Sequence, residues 1–518
     1  MKAYIKISNA FGCLLLVLAL VFAEALPSHA VTAAINTSIT TAKTPTTERS
    51  GALWLRSFSG KSISYNSSPV IRNHLLYVVN ENVLYELDKQ GNILRQTTLA
   101  APMNSVCYLC LQNDYLYIPI DGGRIQCIQC SSMRSVWESE SFGGQSLSAV
   151  ICHDGYLYAG NTKNPSGKTS GIFYCLDAVD GHTVWTYEDM ASPGGYYWSK
   201  AIVKDNILYF AGDNGILVSH SLQTDEVYDT YPLTKTGRVR CGITYNEKDG
   251  ALFTASNDGR IYRILSDKDG KIQSVLSKEI VPDAASANCT STPAIWNNRL
   301  YIGSLANGTG YINVMDASDL NTHYRVSTGQ YKEVKSTPLI STGYASAENK
   351  QTVYVYFTCN ALPGGIYRIK DGEGTKKSSL ETCFIPSHKQ FCLSSVVADS
   401  DGTLYYSNDS GYLYAVSPTM SAAQTEAKPT VKKPTNIKWK KKKKNYLISF
   451  KKNEKKAQTL VYVRYSSGKW KKKASTAKSN YRFKPQKKKQ IWIRLRNRKK
   501  DKNNQWIYSA YTKKYRIH

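Results

Sequence analysis

The chain has 518 residues, a length that admits two to four domains, and a formal net charge of +28. The charge is not spread evenly: Lys428–His518 holds 33 Lys or Arg against two acids, Glu454 and Asp501, so this tail nets +31 and everything before it −3. That split excludes one uniformly basic surface, and it implies that the two parts meet different environments or do different jobs. Of twelve cysteines, Cys13 falls in the leader, and the odd number that remains excludes a complete disulfide framework.

In chain order, residues 1–30 read as a signal peptide. Lys2 and Lys6 open it, Cys13–Phe22 is the apolar run, and cleavage is expected after Ala30 (Ser28-His29-Ala30) or Ala25 (Ala23-Glu24-Ala25). The run is short for a membrane span, with an uncleaved anchor as the alternative. Cys13 precedes the apolar run's end, so a lipid-modified cysteine is not expected. Residues 31–50 are expected to be a linker, and the mature chain to be secreted or extracellular and cell-wall associated.

Internal repetition follows. An apolar pair ending in an aromatic, then a turn and a second apolar strand, recurs with the ring at Tyr77, Tyr117, Tyr158, Tyr209, Phe253, Tyr301, Tyr354 and Tyr405. Spacings of 40 to 53 residues match a four-stranded propeller blade. Asp213-Asn214-Gly215, Asn257-Asp258-Gly259 and Asp409-Ser410-Gly411 supply hairpin turns. The predicted class is all-β: an eight-bladed β-propeller over 51–418, with Ala52–Arg56 closing the last blade. A linker over 419–434 and an immunoglobulin-like β-sandwich over 435–518 complete the chain.

The run Gly171–Trp185 resembles the repeat of pyrroloquinoline quinone (PQQ)-type propellers. Ser67-Ser68-Pro69-Val70, Ser291-Thr292-Pro293-Ala294 and Ser336-Thr337-Pro338-Leu339 match its blade-opening segment, and the resemblance covers about Gly51–Pro418. It implies a fold shared by quinone-dependent dehydrogenases and by non-enzymatic envelope scaffolds. The tail resembles a fibronectin type III-like domain through QIWIRLRN. The Cys-Cys pair that marks the dehydrogenases is absent from the sequence, so no catalytic residue, cofactor or metal ligand is assigned.

Cys107-x2-Cys110 and Cys127-x2-Cys130 have zinc-ribbon spacing, but the repeat puts them on strands that cannot converge, and they read as buried thiols. Cys383 and Cys392 bracket a turn and are the candidate disulfide. Gly60-Lys61-Ser62 and Gly167-Lys168-Thr169 lack the leading glycine of a phosphate loop. Asp267-x-Asp269-Gly270 and Asp399-x-Asp401-Gly402 read as hairpin turns rather than calcium loops.

Two surfaces remain. Residues before the first strand of each blade rim the channel, and Tyr65, Asn104, Tyr196, Tyr197, Trp198, Lys335 and Phe391 are the candidate ligand-binding set there. In the tail, strand alternation puts Tyr462, Arg464, Trp492, Arg494 and Arg496 on one face, with Lys471, Lys472, Lys473, Lys487, Lys488 and Lys489 around them. Such a face suits anionic polymers, with the rings adding stacking.

The expected function is a secreted, non-catalytic cell-envelope binding or scaffold protein. Its propeller would engage a protein or glycan, and its basic domain an anionic cell-wall polymer, acidic polysaccharide or extracellular nucleic acid. A quinone-dependent dehydrogenase with a degenerate site is the alternative.

Overall fold

The computed structural model describes residues 38–39, 43–46, 50–59, 61, 63–163, 170–418, 431–466, 468–485, 490–500, 506–509 and 511–517. The signal-type leader, Gly60, Ser62, Gly167-Lys168-Thr169 and Lys487, Lys488 and Lys489 lie outside them. Among the described residues every regular element is a β-strand, and no helix is long and apolar enough to cross a membrane. The chain divides into two compact units, Met1–Met420 and Ser421–His518.

In the first unit the repeats become successive antiparallel sheets. Sheets 1 to 8 begin with the strands Val70–Arg72, Cys110–Gln112, Ile151–His153, Ile202–Lys204, Thr244–Tyr245, Ala294–Trp296, Leu339–Ser341 and Val397–Ala398. The recurring aromatic lies on the second strand and pairs with the first: Val70 opposes Tyr77, Ile202 opposes Tyr209, and Ala294 opposes Tyr301. Sheet 7 departs from the expected register. Leu339 opposes Tyr356, which is fully buried, and Tyr354 sits two residues earlier on the same face.

Apolar side chains of neighbouring sheets meet in shared cores. Tyr77 and Leu84 of sheet 1 pack with Leu116 and Ile128 of sheet 2, and so on along the chain. The last core joins Tyr405 and Ala415 of sheet 8 to Leu76 and Leu87 of sheet 1. The strand Ala52–Ser57 is the outer strand of sheet 8, pairing with Tyr412–Val416. This leaves no unpaired outer edge on Tyr412–Val416 for another chain to join.

Indoles dock three of the sheets on their neighbours. Trp54 donates from Nε1 to the Lys89 carbonyl (2.7 Å) and covers Gly91, whose Cβ would stand 2.5 Å from the ring. Trp137 treats Gly181 the same way, at 2.4 Å, and both glycines have φ +78°. Gly is needed there twice over, for the left-handed backbone and for the close ring. Trp185 stacks instead on His220, with ring centroids 4.4 Å apart.

Three boundaries and pairings differ from expectation. The span 31–50 is not simply a linker: Ser38–Ile39 adds a parallel strand to sheet 7. Thr44 and Pro45 are buried, and the Pro45 carbonyl accepts from Arg368 (2.8 Å) and from Tyr356. A buried guanidinium needs acceptors, and the strap supplies one. The linker before the tail is shorter than 419–434, since Val431 is buried and the Lys432 amide donates to Glu454 (2.9 Å). Cys383 and Cys392 are free thiols, not a disulfide. Cys383 faces the Ser50 hydroxyl (3.6 Å), whereas Cys392 donates to the Ser407 carbonyl (3.2 Å), so the two sulfurs have different neighbours.

Cys107 and Cys130 enter the core between sheets 1 and 2, and Cys110 and Cys127 the next core. One metal ion cannot be reached from both. Asp267 and Asp399 each accept two amides of their own turn, Asp269 and Lys271 in one case and Asp401 and Thr403 in the other. Those carboxylate oxygens serve the hairpins.

The second unit has two sheets. One comprises Thr435–Lys442, Asn445–Lys451 and Asn480–Phe483; the other Lys471–Thr476, Gln458–Tyr465, Ile491–Lys500 and Trp506–Tyr508, with Tyr515–Arg516 also pairing to Ile491–Lys500. Ile448, Phe450 and Phe483 from the first share one core with Val461, Val463, Ile491, Ile493 and Leu495 from the second. Alternation then sends the intervening residues to the opposite face.

Candidate functional site

The basic unit carries the more developed surface. Its two central strands pair Tyr462 with Arg494 and Arg464 with Trp492, so the expected residues do share a face. They are only half-exposed, because further rings cover them. Arg464 lies over Trp470 (5.3 Å from guanidinium carbon to ring centroid) and Trp492 (5.7 Å). Arg494 lies over Trp470 (4.5 Å) and Tyr511 (3.9 Å), and Arg496 over Tyr508 (4.4 Å) and Tyr511 (4.7 Å). Arg498 continues the series over Trp506 (4.0 Å). The result is a ladder of alternating guanidinium and aromatic planes, held by cation–π attraction.

Trp470, Tyr508, Tyr511, Arg498 and Trp506 were not singled out from the sequence. The period-two run Arg494, Arg496, Arg498 was the available signal for the fourth arginine. The covering rings come from loops and edge strands, where alternation gives no guidance.

Among the described residues the ladder's cations have no carboxylate partner. Nε of Arg464, Arg494 and Arg496 is buried and makes no hydrogen bond. Arg496 donates from a terminal nitrogen to the Tyr462 hydroxyl (3.2 Å). Glu454 is engaged by Lys499 (3.1 Å) and the Lys432 amide. Burial raises the Tyr462 phenol, but hydrogen bonds with Tyr511 and Arg496 and the charges of Arg496 and Lys472 outweigh it and hold the group below its usual value. Lys472 opposes Tyr462 across the edge strand and so joins this face; Lys471 opposes the core residue Val463, and all three of Lys471, Lys472 and Lys473 are exposed.

In the first unit, the segment before each opening strand runs along the centre. Tyr108, Ala149, Lys200, Thr292 and Thr337, each two residues before its strand, form one layer around a cavity of about 40 Å³. Val106, Trp198, Thr290, Lys335 and Leu393, four residues before theirs, form a second. Of the expected rim residues, Trp198 and Lys335 therefore line the cavity. Tyr65, Asn104 and Phe391 stand five or six residues before their strands, outside these layers. Tyr65 and Phe391 are exposed, and Asn104 clasps Asp121 (2.5 Å) and the Ser146 amide (3.1 Å). Tyr196 is buried against Phe173 and Phe210 between sheets 3 and 4, and packs as a core residue. Tyr197 lies under Arg240 (4.5 Å), which itself forms a two-pronged pair with Asp213 (both contacts 2.8 Å).

A quinone cofactor does not fit this cavity. Sites for small organic ligands occupy at least about 300 Å³, and the lining contains no carboxylate for the calcium ion that such quinones use.

Comparison with known proteins places the fold. The family profile described as outer membrane protein assembly factor BamB matches residues 80–265. No curated protein sequence matches the chain significantly. The quinohemoprotein alcohol dehydrogenase of Comamonas testosteroni has a similar structure, at 12% identity over 76% of this chain and 79% of that one, with a TM-score of 0.54. The quinohemoprotein alcohol dehydrogenase ADHIIG of Pseudomonas putida HK5 gives 12%, 75%, 79% and 0.52. The C-terminal WD40 domain of Sif2 gives 10%, 71%, 98% and 0.50. The first unit is thus a β-propeller, and its residues 80–265 carry BamB-like repeats. Enzymes and a WD40 domain share that fold, so the fold leaves the function to the sites.

Proposed function

We propose that this chain is a non-catalytic, exported binding protein of the cell envelope, in which an eight-bladed propeller engages a protein or glycan. A fibronectin type III-like domain holds anionic surface polymer. The single observation that carries this reading is the ladder: three guanidinium groups stacked among rings, without a carboxylate partner among the described residues. Phosphate or carboxylate groups spaced along a polymer would meet the half-exposed guanidinium groups of Arg464, Arg494 and Arg496 and displace condensed counterions. The rings would pack against sugar or base planes. Support for the absence of catalysis comes from the cavity, which is too small for the cofactor of the quinone enzymes.

The test is binding of the full chain to purified cell wall, acidic polysaccharide and DNA across a salt series. Affinity should fall linearly on logarithmic axes, and Arg464→Ala with Arg494→Ala should lower the slope by about 0.7–0.9 per lost phosphate contact. Salt-independent binding, or none to any polyanion at moderate salt, would overturn the reading.

A further inference from the structure

We infer that the axial cavity of the propeller is a site for a compact monovalent anion, a halide or small carboxylate, held by Lys200. Lys200 is only 7% exposed, lines the cavity, and has no hydrogen-bond acceptor or ion-pair partner among the described residues. A lone buried ammonium is costly unless something neutralises it. The other cations near the axis are already satisfied: Lys335 stands 3.5 Å from Glu333, and Arg240 is paired with Asp213.

Position in the repeat sharpens the case. The residues two before each opening strand are Ser68, Tyr108, Ala149, Lys200, Gly242, Thr292, Thr337 and Ser395, and Lys200 is the one charge in the series. Its neighbours around the axis are the smallest of the set. Ala149 precedes it, and Gly242, bridged directly to Lys200, follows; a Cβ on Gly242 would stand 3.1 Å from that of Lys200. This leaves room for the lysine stem.

A second donor points the same way. Thr290, in the adjoining layer, has a buried hydroxyl with no partner. The cavity, at about 40 Å³, is of a size for a compact anion such as chloride or formate. The titratable groups around Lys200 are Lys335, Tyr108 and Cys110. Burial pushes the Lys200 ammonium down to about 8, and it raises the Tyr108 phenol and the Cys110 thiol, so neither is an anion beside the lysine at neutral pH. At pH 7 the lysine is therefore predominantly charged and able to hold an anion.

The experiment follows thermal unfolding of the full chain at pH 7 and constant ionic strength, replacing sodium gluconate by chloride or formate. Wild type should show a saturable rise in Tm with at least one of them, and the pair tells halide from carboxylate recognition. Lys200→Met should abolish the response. Thr290→Val should raise the half-saturating concentration at least threefold, and pH 9.5 should weaken wild-type binding about tenfold or more. The basic tail is present in every sample, so its own anion effects cancel between variants. An equal response in wild type and Lys200→Met, a non-saturating one, or one that gluconate matches would overturn the site. If Lys200→Met fails to fold, the Thr290→Val and pH arms decide: both unchanged from wild type at pH 7 overturns it.

Discussion

The guanidinium of Arg494 stands 3.9 Å from the ring centre of Tyr511 and 4.5 Å from that of Trp470, with its Nε lacking a hydrogen-bond partner. Its stabilisation in the free protein is thus by rings, and its hydrogen-bonding capacity is held back. Arg494→Ala should cost about 1–2 kcal/mol from two such contacts, and weaken polyanion binding. Arg494→Lys should preserve the salt slope while lowering affinity, because an ammonium keeps the charge but loses the planar fork. Chemical unfolding and a salt series on both variants separate the roles. Equal slopes in wild type and Arg494→Ala would count against a direct contact.

Asp371 is the centre of a different network. It is wholly buried and takes both prongs of Arg299 (2.6 and 2.8 Å), with Tyr301 and Tyr324 donating their hydroxyls at 2.7 Å each. The pair ties sheet 6 to sheet 7. Asp371→Ala leaves a buried cation unpaired and should cost about 3–5 kcal/mol. Urea unfolding measures it, and a loss under about 1 kcal/mol would mean that solvent reaches Arg299.

Gly155 and Gly181 both have positive φ, +83° and +78°, but only Gly181 lies under an indole. Gly155→Ala should cost about 1–2 kcal/mol for the left-handed backbone alone. Gly181→Ala should cost about 1–3 kcal/mol more, since Trp137 must move. Similar losses at both sites would show that the Trp137 dock is loose.

Asp409 gives the pH dependence. Burial raises its carboxyl from 3.8 to about 6, so the folded state favours the protonated form. Its stabilising contribution is complete below pH 3.8 and is lost as pH rises through about 6. Asp409→Asn should therefore be more stable than wild type above pH 6, and the advantage should vanish below pH 4. Thermal melts across that range check the sign; an advantage that grows on acidification would contradict it.

Much of the fold was legible because its signals are local. Tyr77, Tyr209 and Tyr301 recur at the repeat length, and Asn, Asp and Gly mark hairpins such as Asp213-Asn214-Gly215. The Arg464, Arg494 and Arg496 face followed from alternation. What failed was register and partnership. Tyr356 holds the position assigned to Tyr354, since both lie on one face of Val353–Thr358 and the repeat spacing does not choose between them. Sequence position alone does not fix which of alternate residues in these segments point inward, so it does not separate Tyr65 and Phe391 from Lys200. Two residues along an extended chain separate a lining position from a mouth position. Cys383 and Cys392 are near in sequence, but sulfur geometry is tertiary. The packing of Thr44 and Pro45 on sheet 7 has no periodic signature at all.

The pairing of Ala52 with Val416 has a consequence for the order in which the protein can be built. The outer strand of sheet 8 is made before any of the strands that receive it, and it must wait until nearly the whole propeller has been synthesised. During that interval Trp54 has no Tyr405 to pack beside, and the strand Leu75–Asn80 lacks its last neighbours. Contacts so distant in sequence form slowly, because loop closure precedes any reward. A segment that emerges early is among the last to be housed, and the incomplete ring offers sticky flanks to any chain nearby.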